Sequence, residues 1–80
     1  MNLSASERYI LLIALGLHFS EKPARNWFLT GGTTDPRDRI CAGMVDRGLL
    51  TEGDNRGKFN LFHATAEGAG AVGHTLPKEA

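Results

Sequence analysis

The pattern of structural signals changes once along this chain, at Gly48. Before that residue, apolar residues recur at helical spacing behind helix-starting residues; after it, short apolar segments flank a run of turn formers. A chain of 80 residues has room for one hydrophobic core only. Helices and a β-hairpin must therefore share that core, which predicts an α+β fold.

The first helix is marked by its start. Ser4-Ala5-Ser6-Glu7 is a capping box, in which the Ser4 hydroxyl accepts from the Glu7 amide and the Glu7 carboxylate accepts from the Ser4 amide. We expect the helix to run to about Leu17. Apolar residues fill nearly every position from Ile10 to Leu15, so this helix has no wide polar face and is predicted to be the most buried element.

Two further helices are predicted before Gly48. Ser20-Glu21-Lys22-Pro23 is typical of a helix start, and Gly31-Gly32 would end that second helix. The third helix is expected to begin with Asp35 as N-cap and Pro36 in the first turn. Its buried stripe is formed by Ile40, Cys41, Met44 and Val45. Two helices joined by a short glycine-containing turn indicate a helix-turn-helix.

Beyond Gly48 the sequence predicts a two-stranded β-hairpin. Leu49-Leu50-Thr51 and the segment 58–64 are the strands, and 53–57 is dense in turn formers. Thr65 can cap a last helix, which several glycines should keep short. The tail, residues 75–80, is expected to be flexible.

Two stretches resemble a known family. Met44-Val45-Asp46-Arg47-Gly48-Leu49-Leu50 is similar to the end of a winged-helix recognition helix entering the first wing strand. Phe62-His63-Ala64-Thr65-Ala66-Glu67-Gly68 is similar to the exit from the second wing strand. The resemblance spans roughly Ser4 to Val72. It implies a winged helix-turn-helix fold: one domain over residues 1–74, with a three-helix core, a hairpin wing and a short C-terminal helix.

The resemblance also implies DNA binding, with the third helix in the major groove and the wing against the backbone. The expected DNA-binding residues are Arg25, Arg37, Arg39, Ala42, Arg56 and Lys58. Arg39, with its neighbours Arg37 and Ala42, would meet base edges, and the other three would contact phosphate. The helical wheel places Arg37 near the buried stripe, where the family usually has an apolar residue. This interpretation makes the chain a small transcriptional regulator or accessory factor.

Charge gives this interpretation limited support. Nine Lys and Arg balance nine Asp and Glu, so no strong overall field attracts the chain to nucleic acid. Asp38 and Asp46 lie on or beside the helix face that would meet DNA, where carboxylates repel phosphate. Weak affinity with a shallow salt dependence is expected, although a homodimer on a palindromic site could double the contacts.

The alternative is an adaptor or assembly module on the same scaffold, with no nucleic-acid role. In the second predicted strand, Phe59 and Leu61 share one face with His63, while Phe62 lies on the other. One face is expected to pack on the core. The other, carrying Phe59 and Leu61, is a candidate surface for a protein partner or a second copy, unless the C-terminal segment covers it.

Enzymatic and metal-binding functions find little support. The glycines from Gly68 to Gly73 match G-x-G-x-x-G, but too few residues follow for a dinucleotide-binding unit. Cys41 and the three histidines lack the close pairing of a zinc site, so no metal is expected. Spacing alone leaves a Cys–His nucleophile pair open, but a buried cysteine without nearby positive charge would be inert. The sequence has no Walker motif, kinase loop or nucleophile elbow, so no cofactor and no catalysis are expected. The apolar run ending at Leu17 is too short to cross a bilayer and lacks a cleavage site, which favours a cytoplasmic protein.

Overall fold

The computed structural model describes residues 2–32, 34–55 and 59–77. Their elements follow the order α1 (Ala5–Ala14), β1 (Phe28–Thr30), α2 (Pro36–Asp46), β2 (Leu50–Asn55), β3 (Asn60–Ala64) and α3 (Ala66–Ala71). The three strands form one antiparallel sheet in the order β1-β3-β2. The predicted α+β class is confirmed.

The predicted helix starts are confirmed for α1 and α2. The Ser4 amide donates to the Glu7 carboxylate at 2.8 Å, and the Glu7 amide donates to the Ser4 hydroxyl at 3.1 Å. Asp35 caps α2 because its Oδ1 accepts a hydrogen bond from the Arg37 amide at 2.9 Å, and Pro36 lies in the first turn. These signals act between residues close in sequence, so they operate in any tertiary context.

α1 ends three residues earlier than predicted. It stops at Ala14, and Gly16 follows with φ +76°, a left-handed conformation that glycine adopts without steric cost. The chain then folds back, because the Leu15 carbonyl accepts from the Ala24 amide and the Ala14 carbonyl accepts from the Trp27 amide.

The prediction of a second helix between Ser20 and Gly31 is wrong. Residues 23–27 have no regular structure and Phe28–Thr30 form β1, so α2 is not preceded by the first helix of a helix-turn-helix. Phe28 and Thr30 are buried and pair with β3 opposite Phe62 and Asn60. Pairing with a distant strand outweighs the local helical spacing of the aromatic residues.

The predicted hairpin exists only as part of a larger sheet. β2 and β3 are antiparallel neighbours, but β1 adds a third strand on the other side of β3. β2 is also longer than predicted, with a register irregularity between Glu52 and Asn55. α3, Ala66–Ala71, is as short as expected.

The core lies between the helices and one face of the sheet. α1 supplies Ile10, Leu11 and Ala14, and α2 supplies Cys41 and Met44, all at most 2% exposed. The remaining buried apolar residues are Leu15, Phe28, Leu49, Leu50, Phe62, Ala64 and Ala69. Because the helices cover one face of the sheet, the opposite face is left to solvent.

Candidate functional site

The solvent side of the sheet carries large apolar side chains. Residues on a strand alternate between faces, so Leu29 and its cross-strand partner Leu61 point away from Phe28 and Phe62 in the core. Trp27 and Phe59 lie one residue outside β1 and β3, and continued alternation assigns them to the same side as these leucines. Together with His63, which pairs with Thr51, they form what we call the outer sheet face: Trp27, Leu29, Phe59, Leu61 and His63.

The exposure of this face is unusual for residues of its type. Phe59 is 48% exposed, Trp27 43% and Leu29 42%. Single exposed apolar residues are common on protein surfaces, but a contiguous group marks an interaction surface. The alternative in which the C-terminal segment covers Phe59 is not realised by the described residues, which reach residue 77 and leave Phe59 exposed.

Gly53 of β2 leaves room on this face for the side chain of His63. A Cβ atom at that position would lie 2.7 Å from His63 Nε2 and 3.2 Å from Leu61 Cδ2. The His63 ring therefore occupies the space that a side chain on β2 would take. Its Nδ1 donates to the Asn26 carbonyl oxygen at 2.7 Å, which holds the ring against the sheet.

Arg25, an expected phosphate contact, lies at the border of the outer sheet face. Its Nε and Nη2 donate to the Ile13 carbonyl oxygen at 3.2 and 3.0 Å. Its guanidinium carbon lies 4.1 Å from the Trp27 ring centroid and 5.5 Å from that of Phe19, which is 62% exposed. The structure thus uses Arg25 to join Phe19 to Trp27 and to cap the end of α1.

The expected DNA-reading residues lie on the exposed side of α2. Arg39 and Ala42 are exposed, and a Cβ at the adjacent Gly43 would meet no atom within 4 Å. Neither of the two ion pairs among the described residues involves Arg39. This side of α2 is therefore exposed to solvent.

The helical wheel places Arg37 near the buried stripe, and in the structure its guanidinium carbon lies 5.5 Å from the ring centroid of the buried Phe28. The Arg37 side chain is 53% exposed and pairs with Asp35 at 2.7 Å, because a residue in the first turn can reach back to the cap. The Arg37 hydrogen bonds, together with that from the Gly31 amide, hold the pKa of Asp35 well below its usual range. In return, hydrogen bonding to Asp35 raises the pKa of Arg37.

The groove between α2 and the β2–β3 pair is acidic. It has a volume of about 90 Å³, and Asp38 and Glu52 are among the residues that line it. The Asp38 carboxylate accepts from the Thr30 hydroxyl at 2.9 Å and from Asn60 Nδ2 at 2.6 Å. Two carboxylates here repel a phosphate backbone approaching both α2 and the hairpin.

Two of the remaining predicted site residues belong to the part of the chain that the structure describes, and two do not. Phe59 and Leu61 lie together on the outer sheet face, as expected from strand alternation. Arg56 and Lys58, the expected wing contacts, lie outside the described residues. Trp27 and Leu29 were missed, because their segment was assigned to a helix. The aromatic and β-branched composition of Trp27-Phe28-Leu29-Thr30 is the signal that could have found β1.

Cys41 has the properties of a core residue. It is fully buried in α2, and burial raises the pKa of its thiol to about 12.

The described residues contain no group of three or more His, Cys, Asp or Glu side chains arranged to hold a metal ion. Nor do they include a helix with the length and apolar composition needed to cross a membrane. Comparisons with protein-family models, curated proteins and solved structures give no match to this chain.

Proposed function

We propose that this protein is a binding module that recognises another protein surface through its outer sheet face. The observation that carries the proposal is the exposure of Trp27, Leu29 and Phe59, each 42–48% accessible, along one side of the sheet. Protein interfaces are enriched in aromatic residues and arginine at the expense of other charged residues. The outer sheet face has this composition, with Arg25 at its border.

The energetic reason is the free energy of covering these side chains. An aromatic side chain buries on the order of 150–250 Å² when covered, and apolar burial contributes roughly 25 cal/mol per Å². A partner that covered the exposed halves of Trp27 and Phe59 would gain about 5 kcal/mol before the costs of association. The outer sheet face can therefore act as the energetic centre of an interface.

Selection of a random-peptide display library on the immobilised chain tests this proposal. We expect the enriched peptides to lose at least about tenfold in affinity for the Leu29→Ser, Phe59→Ser double variant. Both positions are exposed, so these changes leave the core intact. The matched control is Tyr9→Ser, which removes an aromatic side chain that is 60% exposed on α1 and should leave binding unchanged. Equal binding to all three proteins would contradict the proposal.

Duplex DNA binding through α2 is the second candidate function. The observation that favours it is the open surface formed by Arg39, Ala42 and Gly43. Against it stand the carboxylates of Asp38 and Glu52 in the adjacent groove. Two other arginines that could serve this surface are paired, Arg37 with Asp35 and Arg47 with Glu7.

A titration with mixed-sequence duplex DNA at low salt separates the two candidates. Amide chemical-shift changes confined to residues 39–43 and the hairpin tip would favour DNA binding. Arg39→Ala should then remove the changes, and rising salt should weaken binding. An absence of changes at high DNA concentration would leave the protein-binding function as the better account.

A further inference from the structure

We infer that the partner of the outer sheet face is a second copy of this chain, packed face to face about a two-fold axis. This inference rests on the proposed function and names the occupant of the same surface. Three properties of the face support a second copy: its charge, its area and its arrangement.

The charge of the outer sheet face permits self-association. None of its five residues is acidic, and none is Lys or Arg. The neighbouring guanidinium of Arg25 already donates to the Ile13 carbonyl oxygen and stacks on Trp27. A second copy that covers only these five residues would therefore bury no carboxylate, ammonium or guanidinium group. The whole chain has formal net charge +0 and a pI near 6.8, so two copies do not repel each other at neutral pH.

The exposed area is close to what a stable dimer requires. A standard interface covers about 800 Å² on each partner, of which roughly 450 Å² is apolar. Trp27 and Phe59 of the outer sheet face are each roughly half exposed and together offer on the order of 200 Å². Phe19, which contacts Arg25 at the border of the face, adds roughly 100 Å². Leu29 and Leu61 add to this area. The 5223 Å² surface of the chain is large enough for an interface of this size.

The arrangement of the face suits an isologous contact. Leu29 and Leu61 are directly opposed across β1 and β3, so they form the centre of the apolar group. Trp27 and Phe59 extend it at opposite ends. In a two-fold contact the same surface of both copies forms the interface. The apolar centre of one copy then packs against the identical apolar centre of the other. Sheets pack face to face in this way about 10 Å apart in β-sandwiches.

Sedimentation analysis of the full chain over about 5–500 µM tests the inference. We expect a monomer–dimer equilibrium within this range. Raising NaCl to about 1 M should not weaken it, because apolar burial rather than charge drives it. The Leu29→Ser, Phe59→Ser variant should dimerise at least about tenfold more weakly. Tyr9→Ser, which changes an exposed aromatic residue outside the face, should dimerise like the unchanged chain.

The possible outcomes separate this inference from the proposed function. A monomer at every concentration, or a dimer that persists in the double variant, overturns the second-copy inference. If a monomeric chain still selects peptides that require Leu29 and Phe59, only the identity of the partner is wrong. If it is monomeric and selects no such peptides, the proposed function falls as well.

Discussion

The side chain of Asn26 makes with Ala64 both hydrogen bonds that a paired strand residue would make. Its Nδ2 donates to the Ala64 carbonyl oxygen at 3.0 Å, and its Oδ1 accepts from the Ala64 amide at 2.6 Å. The register of Phe28 with Phe62 places Asn26 opposite Ala64, where β1 has not yet begun. The side-chain amide thus continues the pairing with β3 two residues beyond the start of β1 and fixes the chain next to Trp27.

Asn26→Ala should destabilise the fold by about 1–3 kcal/mol, because it leaves the amide and carbonyl of the buried Ala64 without these partners. Urea unfolding measures the loss, and faster hydrogen exchange at the Ala64 amide would locate it. Asn26→Asp keeps an acceptor for the amide but sets a carboxylate oxygen against the Ala64 carbonyl, so it should also destabilise. Wild-type stability in both variants would contradict this role of Asn26.

Two glycines of α3 should respond to alanine in opposite directions. A Cβ at Gly68 would lie 2.2 Å from the backbone oxygen of Leu49, so Gly68→Ala should cost about 3 kcal/mol or more. A Cβ at Gly70 would meet no atom within 4 Å, and Gly70→Ala should stabilise the helix by up to about 1 kcal/mol. Thermal unfolding of the two variants measures both effects. Changes of the same sign would contradict the described packing of α3.

Glu7 should make the stability of the fold dependent on acidic pH. The hydrogen bond from the Ser4 amide, with help from Arg47, lowers the pKa of Glu7. A carboxyl whose pKa is lower in the folded state stabilises that state above its unfolded pKa of about 4.3 and loses this contribution as the pH falls through the folded value. Glu7→Gln should therefore cost roughly 0.5 kcal/mol at pH 7.

The difference in unfolding free energy between the unchanged chain and Glu7→Gln should shrink as the solution is acidified, since the Glu7 carboxyl becomes uncharged. Urea unfolding at neutral and strongly acidic pH measures it. A difference that stays constant with pH would show that the charge of Glu7 contributes nothing.

Cys41 should be unreactive in the folded protein. Its thiol is buried, and its pKa of about 12 keeps it protonated at neutral pH, whereas the thiolate is the reactive form. Iodoacetamide labelling followed by mass spectrometry should be slow without denaturant and should accelerate in urea together with unfolding. Rapid labelling of the native chain would contradict the buried position of Cys41.

Local signals were sufficient for the helix starts that the sequence predicted correctly. The capping box of Ser4 and Glu7 and the Asp35 cap join residues within three positions of each other. β1 could not be found in this way, because its pairing partner Phe62 lies 34 residues further along the chain. Ala24, Trp27 and Phe28 have the i, i+3, i+4 spacing of a helix, but this local pattern was a weaker influence than the sheet that Phe28 joins.

In the candidate site, too, some features follow from local sequence patterns and others from long-range pairing. Strand alternation placed Phe59 and Leu61 on one face without any structure. Strand alternation does not show whether that face is covered, because this depends on the side of the sheet against which the helices pack. Trp27 and Leu29 joined it only because β1 pairs with β3.

Contacts over a few residues are enough to specify the α+β class, the starts of α1 and α2, the shortness of α3 and the strand phase of Phe59. Long-range contacts are needed to make residues 28–30 a strand, to bring Arg25 to the end of α1, and to leave the outer sheet face open. These features depend on which distant segments meet, and that choice is made by burying the largest apolar area at the lowest cost in unsatisfied polar groups.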